Sequence, residues 1–124
     1  MLSGHLSRKA ELFVRSVKDL LSDMSESGTL KYIVERQRKG SLGFYLAWFS
    51  GLRTMILPQL QELFPGFIEK EDWLLVEKIR EKGYEKALEL ASSVLDIFNR
   101  EGEGASEVIE KELMDKVLTR PARP

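Results

Sequence analysis

The chain has 124 residues, 43% of them hydrophobic and 31% charged, so it is long enough for one domain and too apolar for a disordered chain. It contains no cysteine, which excludes disulfides, thiolate nucleophiles and thiolate-bound zinc. The net charge is −1 but uneven, because residues 1–57 carry nine Lys and Arg against five Asp and Glu, whereas residues 58–124 carry ten against fifteen. This asymmetry indicates either two faces that attract each other, within or between chains, or a local surface for an anionic partner.

The N-terminal residues predict a cytoplasmic chain that begins with two amphipathic helices. No apolar secretory signal precedes the first helix, and the absence of cysteine suits a reducing compartment. Apolar residues spaced by three and four predict a helix over 3–24, which the Gly-containing segment 25–28 ends. A second helix is predicted from Thr29 to the basic segment 36–39, where cations complement the helix dipole, and it stops at Gly40.

The segment from Gly40 to Gln61 contains one charged residue, Arg53, and is the most apolar part of the chain. It predicts a central helix over about 41–57 that stops or kinks at Pro58, which has no N–H to donate. Its length would allow a membrane span, but Arg53 and the polar far end argue against one. Small residues recur at every fourth position, which predicts a ridge suited to close helix packing: Gly43, Ala47 and Gly51.

The second half predicts a turn followed by a long helix. The segment Phe64–Phe67 contains Pro and Gly side by side, a strong turn signal. Asp72 is the expected cap of a helix over about 71–100, and its apolar spacing continues through Gly83. An interior glycine costs about 0.8–1 kcal/mol relative to alanine, so a helix end and a new start at Gly83 is the alternative. Gly83, Ala87 and Ala91 form a second ridge of small residues. We therefore expect the central helix to pack on the long helix, ridge against ridge.

The C-terminal part predicts a loop over 101–104, a helix over about 105–118 and a disordered tail over 120–124, where prolines prevent helix formation. No segment shows the period-two alternation of a strand. The sequence thus predicts an all-α, single-domain bundle of five to six helices over residues 1–119.

Side chains suited to catalysis or metal binding are sparse. His5 is the only histidine, so a Cys/His pair is impossible, and a Ser-His-Asp arrangement would depend on a residue near the terminus. Carboxylates recur along the long helix at Glu77, Glu81, Glu85 and Glu89, but lysines alternate with them, which is typical of a solvated face. The Glu-x-x-His pattern of dimetal bundles is absent. We expect no catalytic residue, metal, cofactor or small-molecule substrate.

The expected function is that of a non-catalytic small helical subunit or adaptor that acts through protein–protein contacts and forms homo-oligomers. A helix that is apolar all round needs covering on every side, and few short helices are available to cover it. The remaining apolar surface would be buried by a second copy or by another protein. Its expected partner-binding residues are the aromatic ones: Tyr45, Trp48, Phe49 and Trp73.

The alternative is a nucleic-acid-binding subunit of a larger ribonucleoprotein or DNA complex. Cations concentrated in residues 31–53 could meet phosphates, which supply the sequence-independent part of nucleic-acid affinity. The residues concerned are Lys31, Arg36, Arg38, Lys39 and Arg53. The overall charge of −1 weakens this interpretation, because nucleic-acid-binding domains are usually basic.

Overall fold

The computed structural model describes residues 6–49 and 52–118. Within these ranges the chain is helical, with no strand. It has four helices when adjoining helical segments are counted as one, and eight α-helical segments when each is counted separately. The all-α prediction is confirmed, whereas the predicted number of five to six helices is not. The α-helices are α1 (Arg8–Met24), α2 (Thr29–Arg36), α3 (Lys39–Trp48), α4 (Leu52–Ile56), α5 (Gln59–Lys70), α6 (Trp73–Glu101), α7 (Ala105–Val108) and α8 (Asp115–Leu118).

Helix α1 begins at Arg8 because Ser7 caps it, with the Ser7 hydroxyl accepting a hydrogen bond from the Ala10 N–H at 3.1 Å. The predicted start at Ser3 lies outside the described residues. Five residues at helical spacing form the buried face of α1: Ala10, Phe13, Val17, Leu20 and Met24. This face packs on α6, which is the main helix pair of the molecule.

The basic segment forms a corner between α2 and α3, so the prediction that α2 continues to Gly40 is wrong. Gln37 adopts the left-handed conformation at φ 49°, and the Arg38 N–H then reaches the Ile33 carbonyl at 3.2 Å. This arrangement closes α2 as a Schellman motif does. Gly40 lies inside α3, and the corner turns α3 back beside α2.

The predicted continuous helix over 41–57 is also wrong. Helix α3 ends at Trp48, and Phe49 is extended at φ −79° and ψ 104°, with only 2% of its surface exposed. A straight helix that is apolar all round would leave one apolar side in water in so small a bundle. The break reduces this exposure, although Phe44 and Met55 stay exposed, because it directs five apolar side chains of this region into one core: Leu42, Leu46, Phe49, Ile56 and Leu57.

Helix α5 continues through Phe64–Phe67, where the sequence predicts a turn. Leu60, Leu63 and Phe67 are buried at helical spacing, so burial in the core outweighs the local turn preference of Pro65-Gly66. The long helix is confirmed: α6 runs unbroken through Gly83. The Asp72 carboxylate caps α6 by accepting from the Leu75 N–H at 3.1 Å.

The two ridges of small residues do not meet as predicted. Gly83 is buried against α1 and the residue after α4, since a Cβ placed there would lie 2.8 Å from Leu57 Cδ2 and 3.3 Å from Met24 Sδ. Ala47 is exposed, and Gly51 lies outside the described residues. The close approach at Gly83 is therefore real, but its neighbours are Leu57 and Met24 of α1, whereas α3 packs mainly on α2 and α5.

The C-terminal run is helical throughout 105–118 but changes pitch. A 3-10 turn over Gly102–Gly104 replaces the predicted loop, and Ile109–Met114 forms a π-helical segment between α7 and α8. The wider π turn brings Ile109 and Met114, five residues apart, into the core, where they are 0% and 4% exposed. The predicted tail over 120–124 lies outside the described residues.

Buried apolar residues from α1 through the π-helical segment form one hydrophobic cluster, and the partly buried Val117 of α8 packs against it. In the described ranges, no helix combines the length and the apolar content that a membrane crossing needs.

Candidate protein-binding surface

An apolar groove of about 430 Å³ lies where the corner at Gln37 brings α2 and α3 side by side. Its walls come from the first half of α2 and the middle of α3. The lining residues are Thr29, Tyr32, Ile33, Ser41, Phe44 and Tyr45. Ile33 forms part of the core, so the groove is an open extension of the apolar interior.

Two aromatic rings of the groove are exposed to solvent. Phe44 is 68% exposed and Tyr32 is 50% exposed, which is unusual for rings of this size. The Tyr32 ring carries the Arg36 guanidinium at 4.8 Å from its centroid, a cation–π contact that places a positive charge at the groove edge. Arg36 is exposed, so this edge of the groove carries a cation.

Tyr45 forms the inner wall of the groove and is fixed in place. Its hydroxyl donates to Asp23 Oδ2 at 3.2 Å, and Arg53 Nη1 donates to the same oxygen at 3.4 Å. Burial raises the pKa of the Asp23 carboxyl, although the hydrogen bond from Tyr45 and the charge of Arg53 oppose that shift. Burial and the adjacent Asp23 also raise the pKa of Tyr45, so the phenol stays protonated. This cluster holds α3 on α1 and makes one wall of the groove rigid.

The structure separates the four predicted aromatic anchors. Tyr45 lines the groove, but Phe49 is 2% exposed and packs in the core, where a partner protein cannot contact it while the bundle stays folded. Trp73 is half-buried and packs edge-on against Phe67, with ring centroids 4.8 Å apart. The Trp48 side chain lies outside the described part of the structure.

Sequence reasoning missed Tyr32 and Phe44, the two exposed rings. Tyr32 had a usable signal, because it lies off the apolar stripe that Leu30 and Ile33 form on α2. Phe44 had none, since its helix is apolar all round and periodicity distinguishes no outer face.

The predicted phosphate-binding cations are mostly engaged within the chain. Lys31 pairs with Glu77 at 2.9 Å, Lys39 pairs with Glu71 at 3.2 Å, and Arg53 pairs with Asp23 as described above. Lys31 and Lys39 thus form ion pairs with carboxylates of the acidic second half. Part of the charge asymmetry between the two halves is therefore neutralised by intramolecular ion pairs. Arg36 contacts the groove residue Tyr32, and Arg38 lies exposed in the corner between α2 and α3.

A buried arginine joins three elements elsewhere in the bundle. Arg80 of α6 is 2% exposed, and its guanidinium donates two hydrogen bonds to the Glu77 carboxylate, at 2.9 and 2.8 Å. It also donates to the Met24 carbonyl at the end of α1 and to Glu26 at 3.3 Å. The hydrogen bonds from Arg80, with that of Lys31, hold the pKa of Glu77 at about 2. Each donor faces an acceptor, so this cluster stabilises the fold.

No group of three or more metal-ligating side chains lies together in residues 6–49 and 52–118. His5 lies outside the described residues. A cavity of about 470 Å³ near the end of α6 is lined partly by charged residues that pair with one another, such as Arg100 with Glu112 at 3.8 Å. Paired charges of this kind are typical of a surface cleft between helices.

The fold and the groove define a small all-α domain with an apolar, cation-edged surface. Over residues 1–116 the chain matches the C-terminal domain of a family of unknown function, DUF6866, and it belongs to that family. No curated protein matches the chain significantly, and no solved structure does.

Proposed function

We propose that this chain is a non-catalytic helical subunit that acts through protein–protein contacts, and that the groove between α2 and α3 receives an amphipathic helix of a partner protein. The exposure of Phe44 and Tyr32, 68% and 50%, at an apolar groove carries the proposal. Aromatic residues in such a position are the usual anchors of protein interfaces. The groove takes apolar side chains at helical spacing, as in helix-in-groove recognition.

The charge at the groove edge defines the partner further. Arg36 is exposed and is held against Tyr32 at the edge of the apolar floor, and Arg38 is exposed in the corner between α2 and α3. An incoming helix with Asp or Glu flanking its apolar stripe meets complementary charge, whereas a basic helix is repelled. The preferred occupant is therefore an acidic amphipathic helix.

A pair of synthetic peptides tests this proposal. Both carry leucines at i, i+3, i+4 and i+7, and they differ only in having Glu or Lys on the flanks. We expect the Glu peptide to bind with micromolar affinity and the Lys peptide not to bind, as measured by fluorescence anisotropy. F44S should weaken binding of the Glu peptide at least about tenfold, as loss of an anchor does.

The matched control is L74S, since Leu74 is 76% exposed but lies on α6 and does not line the groove. L74S should bind the Glu peptide as the unmodified chain does. Equal binding of both peptides, or equal loss in F44S and L74S, would refute the groove as the binding site.

A further inference from the structure

A second apolar groove, of about 170 Å³, lies between α1 and α6. Val14, Val17, Ala91 and Val94 form most of its lining, with Lys18 and Leu95 completing it. Leu95 is 59% exposed, and Leu88, seven residues earlier on the same helix, is 46% exposed. Exposed leucines beside an apolar groove form an apolar surface patch of the kind that marks a protein–protein interaction site.

The two sides of this groove carry opposite charges. Lys18, on the α1 side, is exposed at the level of Leu95, because both residues line the same groove. On the α6 side, the exposed residues next to the leucines include Glu85 and Asp96. Asp96 is held only loosely by Arg100, at 3.9 Å. An exposed lysine therefore lies on the α1 side of the groove, and an exposed aspartate lies beside Leu95 on its α6 side.

We infer that a second copy of this chain covers this groove in a two-fold symmetric dimer. Rotation by half a turn about an axis along the groove places each copy's α6 edge over the other copy's α1 edge at the same level. Leu95 of each copy then packs over Val14, and Asp96 approaches Lys18 of the other copy. Such an interface is self-complementary in shape and in charge, as a symmetric dimer requires.

Sedimentation equilibrium over low to high micromolar concentrations tests the dimer. We expect reversible dimerisation of the unmodified chain, and L95E to remain monomeric at every concentration. K18E should weaken the dimer about tenfold through two symmetry-related like-charge contacts, and the double variant K18E/D96K should restore it.

L74E is the matched control, because it adds the same charge to an exposed leucine of α6 outside the groove. It should dimerise as the unmodified chain does, and circular dichroism should show all variants folded. A monomer at the highest concentration, or a K18E/D96K variant as weak as K18E, overturns the inference. A dimer dissociated by F44S and unaffected by L95E also overturns it and assigns self-association to the α2–α3 groove.

This dimer does not depend on the proposed partner-binding groove. The peptide experiment tests the groove at Phe44, and the sedimentation experiment tests the groove at Leu95. Either proposal can therefore be refuted while the other stands.

Discussion

Gly28, at the start of α2, has no space for a side chain. A Cβ atom there would lie 2.3 Å from the Ser22 carbonyl oxygen and 2.5 Å from that of Asp23. Both oxygens belong to the backbone at the end of α1, which cannot move aside as the end of a flexible side chain can. The glycine therefore permits the tight connection that places α2 against α1.

We predict that G28A lowers the free energy of unfolding by about 2–4 kcal/mol, because the added methyl group forces α1 and α2 apart. The matched control is G40A: apart from the neighbouring residues and the backbone of its own helix, no atom lies within 4 Å of its added Cβ, and Gly40 is inside α3. G40A should raise the free energy of unfolding by about 0.5–1 kcal/mol through helix propensity. Urea denaturation followed by circular dichroism measures both, and changes of equal sign would contradict the steric explanation.

Among the elements, α1, α2 and α6 are tied together by charged groups. Glu77 of α6 receives hydrogen bonds from Arg80 and from Lys31 of α2, while Arg80 also caps the end of α1. The pKa of Glu77 falls from 4.5 to about 2, with the hydrogen bonds from Arg80 as the main cause. A carboxyl group whose pKa is lower in the folded than in the unfolded chain stabilises the fold fully at any pH above its unfolded-state pKa. That stabilisation is lost as the pH falls through the folded-state pKa.

Replacing Glu77 by Gln should therefore make stability less sensitive to acid. We expect E77Q to be less stable than the unmodified chain by about 2 kcal/mol near neutral pH, less than the full shift implies, because a fifth of the Glu77 side chain remains exposed. The difference should stay constant above about pH 4.5 and shrink as the pH falls towards about 2.

Urea denaturation between neutral pH and about pH 2.5 measures this difference. E89Q, which changes an exposed carboxylate of the same helix, should differ from the unmodified chain by less than about 0.5 kcal/mol. A difference between E77Q and the unmodified chain that does not vary with pH would show that Glu77 contributes through packing alone.

The sequence predicted those helix features that local chemistry determines. Asp72 caps α6 because a carboxylate before an apolar repeat accepts from a free N–H, and α6 passes through Gly83 because the apolar spacing continues on both sides of it. The break at Phe49 could not be predicted, since it depends on how much apolar surface the rest of the bundle can cover. The same holds for Phe67, whose burial overrides the turn preference of the residues before it.

For the candidate surface, too, the sequence indicated local features but not those that depend on how the helices pack. The sequence predicted a partner surface among its aromatic residues, and of these Tyr45 lines the groove. It could not show which rings face outward, because exposure of Phe44 depends on the corner at Gln37 and on the fixed position of Tyr45.

For the whole molecule, the basic first half and the acidic second half meet across the bundle. Lys31 with Glu77 and Lys39 with Glu71 join the two halves. Cations engaged in this way have less charge to offer phosphate. The nucleic-acid-binding alternative stays a prediction, and the exposed pair Arg36 and Arg38 would have to carry much of it.

We expect the chain to bind a generic DNA duplex only at low ionic strength and to release it at about 0.15 M salt, because few phosphate contacts can form. Fluorescence anisotropy at several salt concentrations measures this. The triple variant R36A/R38A/K39A should behave like K78A/K82A/K111A, which removes the same charge from other exposed positions. Binding that persists at physiological salt, and that only the first triple variant abolishes, would support the alternative function.

The π-helical segment Ile109–Met114 has a consequence for how this family varies in length. A π turn holds one residue more than an α turn, so removing one residue inside it restores an ordinary helix and leaves the orientation of the following helix α8 unchanged. Helices α1 and α6 contain no extra residue of this kind, so a one-residue deletion within either rotates every following side chain of that helix by about 100°. Relatives that are one residue shorter should therefore have their alignment gap between Ile109 and Met114. We expect this segment to tolerate a one-residue deletion better than α1 or α6.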